Sequence, residues 1–466
     1  MKRHIASSAK FATFSLFLLF VASVFDGTSI TLGQEELLPD LGTRKQGEDW
    51  PVFLGPRGDS TSLEKGILTD WKSGLKVVWS QRLGQSYGIG AVSRGRYFQF
   101  DRLGRNARVL CMNAETGEKI WTREYETDYR DMYNYSNGPR CSPIVDGNRV
   151  YAFGPEGRLH CLDVADGTIL WEVDTEKMFN VQQNFFGVGS NPVIHGDLLI
   201  TMVGGSPSDF RAPQGALGGA KGDKSGIVAF DKFTGKVKYR VTDELASYAS
   251  LKLAKIANRD WCFAFARGGL VGFEPQTGKV EFNYPWRSRI LESVNASVPV
   301  VVGNEVFISE TYGPGASLLR VKPGSGKVIW KDAETAREKT FQAHWNTPIH
   351  RNGFLYGSSG RHDYNAVLRC IDWKTGDVMW DKLGLTRTSL LYVDDHFVCQ
   401  LETGELHLLK VNPNKYDEVA RFTLRDADGD ALLVEPCWAA PILSHGLMYV
   451  RGQDRVVCLE LIPEKK

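Results

Sequence analysis

Hydrophobic and polar residues alternate along this chain in short runs that meet at glycine-containing turns. Five runs share this form, with two alternating stretches on either side of Asp-Gly or a related pair. They are SPIVDGNRVYAFG (142–154), NPVIHGDLLITMVG (191–204), VPVVVGNEVFISE (298–310), TPIHRNGFLYGSS (347–359) and APILSHGLMYVRG (440–452). A period of two is typical of half-buried strands, and glycine supplies the positive φ of a tight turn, so each run predicts a β-hairpin.

A second type of hairpin recurs after the first, as in CLDVADGTILW (161–171), with glycine four residues before an aromatic residue. The pairs are Gly117 and Trp121, Gly167 and Trp171, Gly235 and Tyr239, Gly278 and Phe282, Gly326 and Trp330, and Gly376 and Trp380. A weaker copy, VNPNKYDEVARF (411–422), lacks the glycine. We predict that these glycines form the turns, so Gly167→Val should damage folding far more than Gly218→Val, which lies outside the repeats.

Two hairpins make one four-stranded unit, and the aromatic positions follow one another at intervals of 43 to 68 residues, the period of a propeller blade. Counting from Trp79 in KVVWSQRLG to Phe422 gives eight units. The last strand, VVCLELIP (456–463), should pair with the strand of Trp79, which would close the ring and remove free sheet edges. The pattern therefore predicts an all-β fold: a single eight-bladed propeller of four-stranded antiparallel blades, closed by its terminal strands.

The first residues have the pattern of a secretory signal peptide. Lys2, Arg3 and Lys10 precede an apolar run over 11–25, which is shorter than a bilayer span, so cleavage is favoured over a membrane anchor. We predict a signal peptide over 1–34, a linker over 35–48 and the propeller over 49–466, in a protein exported to the periplasm or secreted. An insertion rich in Gly, Ser and Pro, 204–226, is either a lid or a tolerated surface loop.

The net charge bears on the class of partner, and the cysteine positions bear on whether the protein contains disulfides. Lys and Arg total 56 against 55 Asp and Glu, a net charge of +1, which gives no reason to expect nucleic acid; we expect a monomer. Four of the eight cysteines, Cys111, Cys161, Cys370 and Cys458, occupy one repeat position in different blades, which favours buried thiols over disulfides. The sequence leaves the state of the others open; they are Cys141, Cys262, Cys399 and Cys437.

These repeats resemble those of pyrroloquinoline-quinone (PQQ) propellers, a superfamily that includes quinoprotein alcohol dehydrogenases and the propeller lipoprotein of outer-membrane protein assembly. More narrowly, EDWPVFLGPRGDSTSLEKGIL (48–68) and YPWRSRILESVNASVPVVVGNEVFISETYGPGASLLRV (284–321) look like a group of exported propeller proteins common in planctomycete-type bacteria. The resemblance covers nearly all of the chain after the signal peptide. It implies the fold, and it implies no settled biochemical role.

In such blades the Thr-Gly and Asp-Gly turns lie on one rim, here called the turn rim. The connections between blades and the middle loop of each blade lie on the other, the loop rim, whose long irregular segments are where function is expected to concentrate. Aromatic rings, guanidinium groups and amides there suit a planar or anionic ligand, or a peptide. The candidate ligand-binding residues are Tyr133, Asn137, Arg140, Asn184, Trp286, Arg287, Asn295, His344, Trp345 and Arg361.

The main hypothesis is a non-catalytic binding or scaffold propeller that uses this rim to hold a protein or a small ligand. The alternatives are a PQQ-dependent alcohol dehydrogenase, with Ca²⁺ bound by carboxylates such as Asp128, Asp131, Glu292 and Asp363, and a glycan-binding propeller. The adjacent Cys-Cys pair of many family dehydrogenases and a Cys-x-x-Cys-His haem motif are both absent from the sequence, so no cofactor is predicted. The rim aromatics could also simply plug the axial channel, and the rim carboxylates could be solvated loop charges.

Overall fold

A computed structural model describes residues 36–182, 185–211, 220–290, 293–426 and 428–464. The chain divides into two units, Met1–Leu37 and Leu38–Lys466, and the second contains all of the regular structure given below. The predicted signal peptide, together with Asn184, Gly218 and Glu292, lies outside the described residues.

In the described residues, thirty-two strands build eight antiparallel four-stranded sheets, the blades. The strand β1 (Lys76–Arg82) comes first and belongs to the last blade. Blade 1 consists of β2 (Ala91–Ser93), β3 (Arg96–Leu103), β4 (Asn106–Asn113) and β5 (Lys119–Glu126), and blade 2 consists of β6 (Ile144–Asp146), β7 (Arg149–Phe153), β8 (Arg158–Asp163) and β9 (Ile169–Asp174). Blade 3 consists of β10 (Val193–His195), β11 (Leu198–Met202), β12 (Ile227–Asp231) and β13 (Val237–Val241), and blade 4 consists of β14 (Lys252–Ile256), β15 (Arg259–Phe265), β16 (Gly269–Phe273) and β17 (Val280–Pro285).

The second half of the chain repeats this order. Blade 5 consists of β18 (Val300–Val302), β19 (Glu305–Glu310), β20 (Gly315–Lys322) and β21 (Ser325–Lys331), and blade 6 consists of β22 (Ile349–Arg351), β23 (Phe354–Ser359), β24 (Val367–Asp372) and β25 (Val378–Leu383). Blade 7 consists of β26 (Thr388–Val393), β27 (His396–Leu401), β28 (Leu406–Lys410) and β29 (Glu418–Phe422), and blade 8 consists of β30 (Ile442–Ser444), β31 (Leu447–Arg451), β32 (Arg455–Glu460) and β1. The described part of the chain contains one short helix, α1 (Thr175–Phe179), which follows β9. No helix in the described ranges is long and apolar enough to cross a membrane.

The ring is closed by the two ends of the propeller, as predicted. β1 pairs antiparallel with β32, from Lys76 opposite Glu460 to Arg82 opposite Arg455. The eighth blade therefore takes its outer strand from the start of the propeller and its other three strands from the end. The prediction of an all-β, eight-bladed propeller is confirmed.

The outer-strand aromatic of each blade docks on the turn of the next blade. Trp121 Nε1 donates a hydrogen bond to Val164 O at 2.9 Å, and Trp171 Nε1 donates to Lys232 O at 3.0 Å. The repeat glycine is the residue against which the ring packs: a Cβ added to Gly167 would lie 2.6 Å from the Trp121 ring. Equivalent contacts join Trp79 to Gly117, Trp171 to Gly235, Tyr239 to Gly278, Phe282 to Gly326 and Trp330 to Gly376, and Trp380 Nε1 donates to Asn412 O.

Gly326 does not lie in the turn that the sequence predicts for it. Five of the six repeat glycines have positive φ, but in blade 5 the left-handed residue is Gly324, at φ 75°. The hairpin there is tighter, because β20 continues to Lys322 and β21 begins at Ser325, so Gly326 already pairs with Val321 inside the strand. Gly326 keeps the other role of the repeat glycine, which is close contact with the aromatic ring of the preceding blade.

Blade 7 also departs from the repeat. In the other blades the docking aromatic follows a β-bulge in the outer strand, as Trp380 does where it pairs with Cys370. In blade 7 the residue at that position is Ala420, paired with Leu408, and Phe422 stands two residues further along. The Phe422 ring packs on Gly74, just before β1. The aromatic contact between blades 7 and 8 is therefore kept with a shifted register.

Most of the hydrophobic core lies between neighbouring blades. Separate buried clusters fill the successive interfaces, and the largest joins blades 7, 8 and 1 around the point of closure. All eight cysteines are buried and none forms a disulfide. Cys111, Cys161, Cys370 and Cys458 pair directly across the strands with docking tryptophans.

Residues 48–64, here called the strap, run across the axial channel. Trp50 pairs with Val92 of β2, and Lys252 Nζ at the start of β14 donates to Arg57 O at 2.7 Å. Further hydrogen bonds join the strap to the innermost strands of blades 2, 7 and 8. Residues 38–48, which are part of the linker predicted over 35–48, also hydrogen-bond to the propeller, for example from Leu41 N to Arg94 O.

Candidate functional site

One repeat position lines the axis of the propeller in all eight blades. It lies six residues before the last residue of each innermost strand, on the connection that enters the blade. From blade 1 to blade 8 the residues are Tyr87, Arg140, Gly189, Ser250, Ala296, Trp345, Arg387 and Trp438. All eight line a single cavity of about 490 Å³ that opens on the loop rim, here called the funnel. Large side chains stand on blades 6, 7, 8, 1 and 2, and small ones on blades 3 to 5.

Aromatic side chains surround the funnel as a nearly continuous collar. Successive ring centroids along it are Tyr312 to His344 at 5.7 Å, His344 to Trp345 at 4.7 Å, Trp345 to Trp438 at 4.7 Å, Trp438 to Tyr135 at 6.3 Å, Tyr135 to Phe186 at 5.9 Å and Phe186 to Tyr248 at 5.4 Å. Val294 and Ala296 pack between Tyr248 and Tyr312 and complete the collar. The rim aromatics therefore line a cavity and do not fill the channel.

The strap forms the floor of the funnel. Phe53, Leu54 and Ser60 line the cavity. Leu54 and Ser60 have φ of 61° and 56°, a conformation that is unusual for residues other than glycine. Two hydrogen bonds stabilise this backbone conformation, from Asp59 N and Ser60 N to Leu54 O, together with the ion pair between Arg57 and Glu48. The funnel is therefore blind on this side.

The connection that carries Arg140 is organised by its own side chains. Asn137 Oδ1 accepts a hydrogen bond from Asp131 N at 2.9 Å, and Asp131 Oδ1 accepts from Tyr133 N at 2.7 Å. The other carboxylate oxygen of Asp131, which is buried, pairs with the Arg140 guanidinium. That guanidinium lies 5.8 Å from the Tyr87 ring and 5.7 Å from the Phe186 ring. Arg140 is therefore a fixed, neutralised cation in the wall.

On blade 7 Arg387 lies between two tryptophan rings, 4.5 Å from Trp345 and 5.3 Å from Trp438. Trp345 and Trp438 occupy the same repeat position on the two adjacent blades, 6 and 8, so both neighbours of Arg387 in the ring contact its guanidinium. Glu402 holds the arrangement, because it pairs with the Arg387 guanidinium and accepts a hydrogen bond from Trp438 Nε1 at 2.6 Å. The Arg387 charge is therefore also compensated from behind the wall.

Arg361 and His344 complete the polar groups of the funnel. The Arg361 guanidinium lies 4.5 Å from the Tyr312 ring at the exposed mouth, where His362 and Asp363 follow it. His344 Nε2 is 3.1 Å from the Tyr312 hydroxyl. Burial, helped by the charges of Arg387, Arg361 and His362, lowers the pKa of His344 to about 3, so this imidazole is neutral at physiological pH.

Of the ten candidate residues, the funnel brings together five: Tyr133, Arg140, His344, Trp345 and Arg361. Asn184 lies outside the described residues. Asn137 only shapes the loop before Arg140. Asn295 is buried, and its Nδ2 donates a hydrogen bond to Ala266 O at 2.7 Å, which joins blades 4 and 5. Trp286 packs in the core and donates a hydrogen bond to Gly315 O. Arg287 is exposed and lies outside the funnel lining.

The residues that the sequence analysis missed are Tyr87, Tyr135, Phe185, Tyr248, Tyr312, Arg387 and Trp438, together with the strap floor. A signal for part of this set was present in the sequence. In five repeats a proline precedes the innermost strand, and the residue three positions before that proline lines the funnel, as Arg140 does before Pro143 and Trp438 before Pro441. Aligning the repeats on that proline finds the ring position directly.

A metal-bound quinone does not fit the described residues of the funnel. Calcium needs six to eight oxygen ligands, usually including several carboxylates. Asp131 and Glu402 are engaged with arginines, Asp363 is exposed at the mouth, and Asp128 is exposed and pairs with Arg105. In the described part of the chain no three His, Cys, Asp or Glu side chains are grouped as a metal site.

Fold and site together define a closed eight-bladed propeller with aromatic docking between blades and an axial funnel. The family model described as outer membrane protein assembly factor BamB matches residues 69–217 and 105–382. These matches cover more than half of the chain, so the chain belongs to this family of PQQ-like propellers.

Individual relatives come from two kinds of protein. The chain is 29% identical over 372 residues to the outer membrane protein assembly factor BamB of Shewanella oneidensis, covering 71% of this chain and 88% of that protein. It is 24% identical over 304 residues to the dehydrogenase subunit of the quinone alcohol dehydrogenase of Gluconobacter oxydans, covering 59% of this chain and 36% of that subunit. The chain thus matches only about a third of the dehydrogenase subunit.

Among solved structures, the quinohemoprotein alcohol dehydrogenase from Comamonas testosteroni superposes with a TM-score of 0.62 at 13% identity, covering 90% of this chain and 82% of that chain. An identity this low shows a shared fold and nothing about activity.

Proposed function

We propose that this protein is a non-catalytic binding propeller whose funnel is the ligand site. The observation that carries the proposal is the single repeat position that lines one cavity from all eight blades. A cavity of this size, mostly aromatic with a few fixed polar groups, has the usual character of a small-molecule site.

The ionisable groups of the funnel support binding over catalysis. General acid or base catalysis at neutral pH works best with a group whose pKa is near 7. The His344 pKa is lowered to about 3, and Asp131 and Glu402 behind the wall are engaged with Arg140 and Arg387. Burial raises the pKa of Glu310 to about 7, but this residue does not line the cavity. The funnel thus offers fixed charges and aromatic faces more than proton transfer.

A partner protein at the loop rim is a second candidate, favoured by the exposed aromatic side chains around the mouth. Tyr133, Tyr135 and Tyr364 expose 46%, 58% and 80% of their surface there. Exposed aromatics of this kind are enriched where proteins bind one another. Membership of a family described by an assembly factor, and a relative of that name matched over 88% of its length, support this candidate.

We also propose that the protein is exported. The support is the basic and apolar pattern over residues 1–34, which lie outside the described residues. Sequencing the N-terminus of the protein made in a bacterial host checks this: a start near residue 35 in the periplasmic fraction agrees with export, and a start at Met1 in the cytosol contradicts it.

Blocking the funnel tests the binding proposal. Ala296→Trp places a large ring at a small position of the funnel wall, and Ala333→Trp, on an exposed part of the loop rim, is the matched control. The probe is 2-naphthalenemethanol, a neutral aromatic molecule, measured by equilibrium dialysis. The wild type and Ala333→Trp should bind it at one site with a dissociation constant of about 0.1–1 mM, and Ala296→Trp should bind at least about tenfold more weakly.

Absence of saturable binding, or equal binding by all three proteins, contradicts the proposal. Pyrroloquinoline quinone with and without Ca²⁺ tests the dehydrogenase alternative in the same assay. Calcium-dependent binding accompanied by dye-coupled alcohol oxidation would replace the binding proposal by a quinoprotein activity.

A further inference from the structure

The three arginines of the funnel differ in how their charges are compensated. Arg140 and Arg387 each have a carboxylate partner behind the wall, whose side chains are only 0% and 10% exposed. The Arg361 guanidinium has neither an ion pair nor a hydrogen bond with any residue that the structure describes, and it is exposed. It is therefore the cation of the funnel that is available to a ligand.

The position of Arg361 is set by its neighbours. Its guanidinium lies over the Tyr312 ring, and Arg387 Nη1 donates to its backbone oxygen at 3.1 Å. Tyr312 in turn is held by its own backbone N–H, which donates to Glu310 Oε2 at 2.7 Å, and by the contact with His344. A guanidinium placed on an aromatic face keeps its N–H edges open to an acceptor.

Below this cation the funnel is aromatic and blind. A ligand that reaches the strap floor passes the faces of the collar and ends on Phe53 and Leu54. Burying an apolar body here is favourable, whereas burying a charge without a partner is costly. The charged end of a ligand therefore belongs at the mouth, and its flat end belongs inside.

We infer that the funnel selects small organic acids with an aromatic body, whose acid group meets Arg361 at the mouth without a metal ion. This inference rests on the proposed function, because it names the ligand class of the same funnel. The cavity volume of about 490 Å³ is that of a site for a small molecule. Asp363, the one carboxylate in the described lining, is exposed at the mouth, and Arg361 is the one lining arginine without a carboxylate partner among the described residues.

Three probes of one shape test the charge preference: 2-naphthoate, 2-naphthalenemethanol and 2-naphthylmethylamine, as anion, neutral molecule and cation. Isothermal titration calorimetry in EDTA should rank them in that order for the wild type. Arg361→Gln should weaken naphthoate binding about tenfold and change binding of the neutral probe by less than about twofold. Arg289→Gln is the matched control, because Arg289 is 92% exposed on the same rim, outside the funnel lining.

The possible outcomes separate the two proposals. If the neutral probe binds and naphthoate shows no advantage, or if Arg361→Gln leaves that advantage intact, the acid selectivity is wrong and the binding funnel stands. If none of the three probes binds, both are wrong. If naphthoate binds only when Ca²⁺ replaces EDTA, recognition by Arg361 alone is wrong.

Discussion

Glu310 is a carboxyl group buried behind the funnel wall, at the end of β19. Its side chain is fully shielded, Oε2 accepts from Tyr312 N, and Oε1 has no hydrogen-bond partner among the residues that the structure describes. Burial raises the pKa of Glu310 to about 7, against an ordinary value of 4.5. The folded protein therefore holds a proton here that the unfolded chain has already released between about pH 4.5 and 7, so this residue lowers stability as pH rises through that range.

Replacing Glu310 tests this linkage. Glu310→Gln cannot ionise, so its melting temperature should improve relative to the wild type as pH rises from 5 to 8. Differential scanning calorimetry at several pH values measures the difference, and Glu334→Gln, at a carboxylate that is 75% exposed, is the control. A difference between Glu310→Gln and wild type that stays constant across this range contradicts the raised pKa.

Single residues of the site were only partly predictable. Arg140 and Trp345 were found because long irregular loops carry rings and charges, but the same rule selected Asn295 and Trp286, which are buried structural residues. Composition of a loop does not say which side chains face the axis. That depends on the register of the strand that follows, which for Arg387 and Trp438 becomes visible only when all the repeats are aligned.

Among the structural elements, the second hairpin of each blade has the most demanding geometry. Its glycine combines two constraints in five blades, a positive φ and contact with the aromatic ring of the preceding blade. The sequence revealed the first constraint, because only glycine adopts this conformation readily. The second needs the neighbouring blade, and it explains why Gly326 stands in a strand where no turn requires glycine.

A pair of alanine substitutions separates these constraints. Gly167 and Gly303 both have positive φ, at 72° and 56°, but only Gly167 faces a ring, since nothing lies within 4 Å of a Cβ added to Gly303. Gly303→Ala should cost about 1–2 kcal/mol of unfolding free energy for the left-handed backbone, and Gly167→Ala about 1–3 kcal/mol more for overpacking against Trp121. Chemical denaturation measures both; equal losses contradict the docking role of the glycine.

At the scale of the whole molecule, the ring closure was predictable and the interior of the ring was not. Closure follows from counting hairpins, because a last blade with three strands needs the first strand as its fourth. The strap has no repeat and no alternation, so nothing in its sequence indicates that it crosses the channel. Its place is fixed by contacts with blades distant in sequence, such as Lys252 with Arg57 and Gly58.

The funnel is a property of all eight blades together. Each blade contributes one residue at the same position, and the difference between the large residues on five blades and Gly189, Ser250 and Ala296 on the other three makes the cavity asymmetric. A symmetrical ring of large side chains would fill the axis. The departure from repeat symmetry therefore marks the site on an otherwise repetitive molecule.

The most direct measurement is a crystal structure of the protein grown with 2-naphthoate. The account predicts one bound molecule in the funnel, its rings within the collar above Phe53 and its carboxylate at the Arg361 guanidinium. Naphthoate bound on the outer strands or on the turn rim, with the funnel filled only by solvent, would contradict the claim that the axis of this propeller is its binding site.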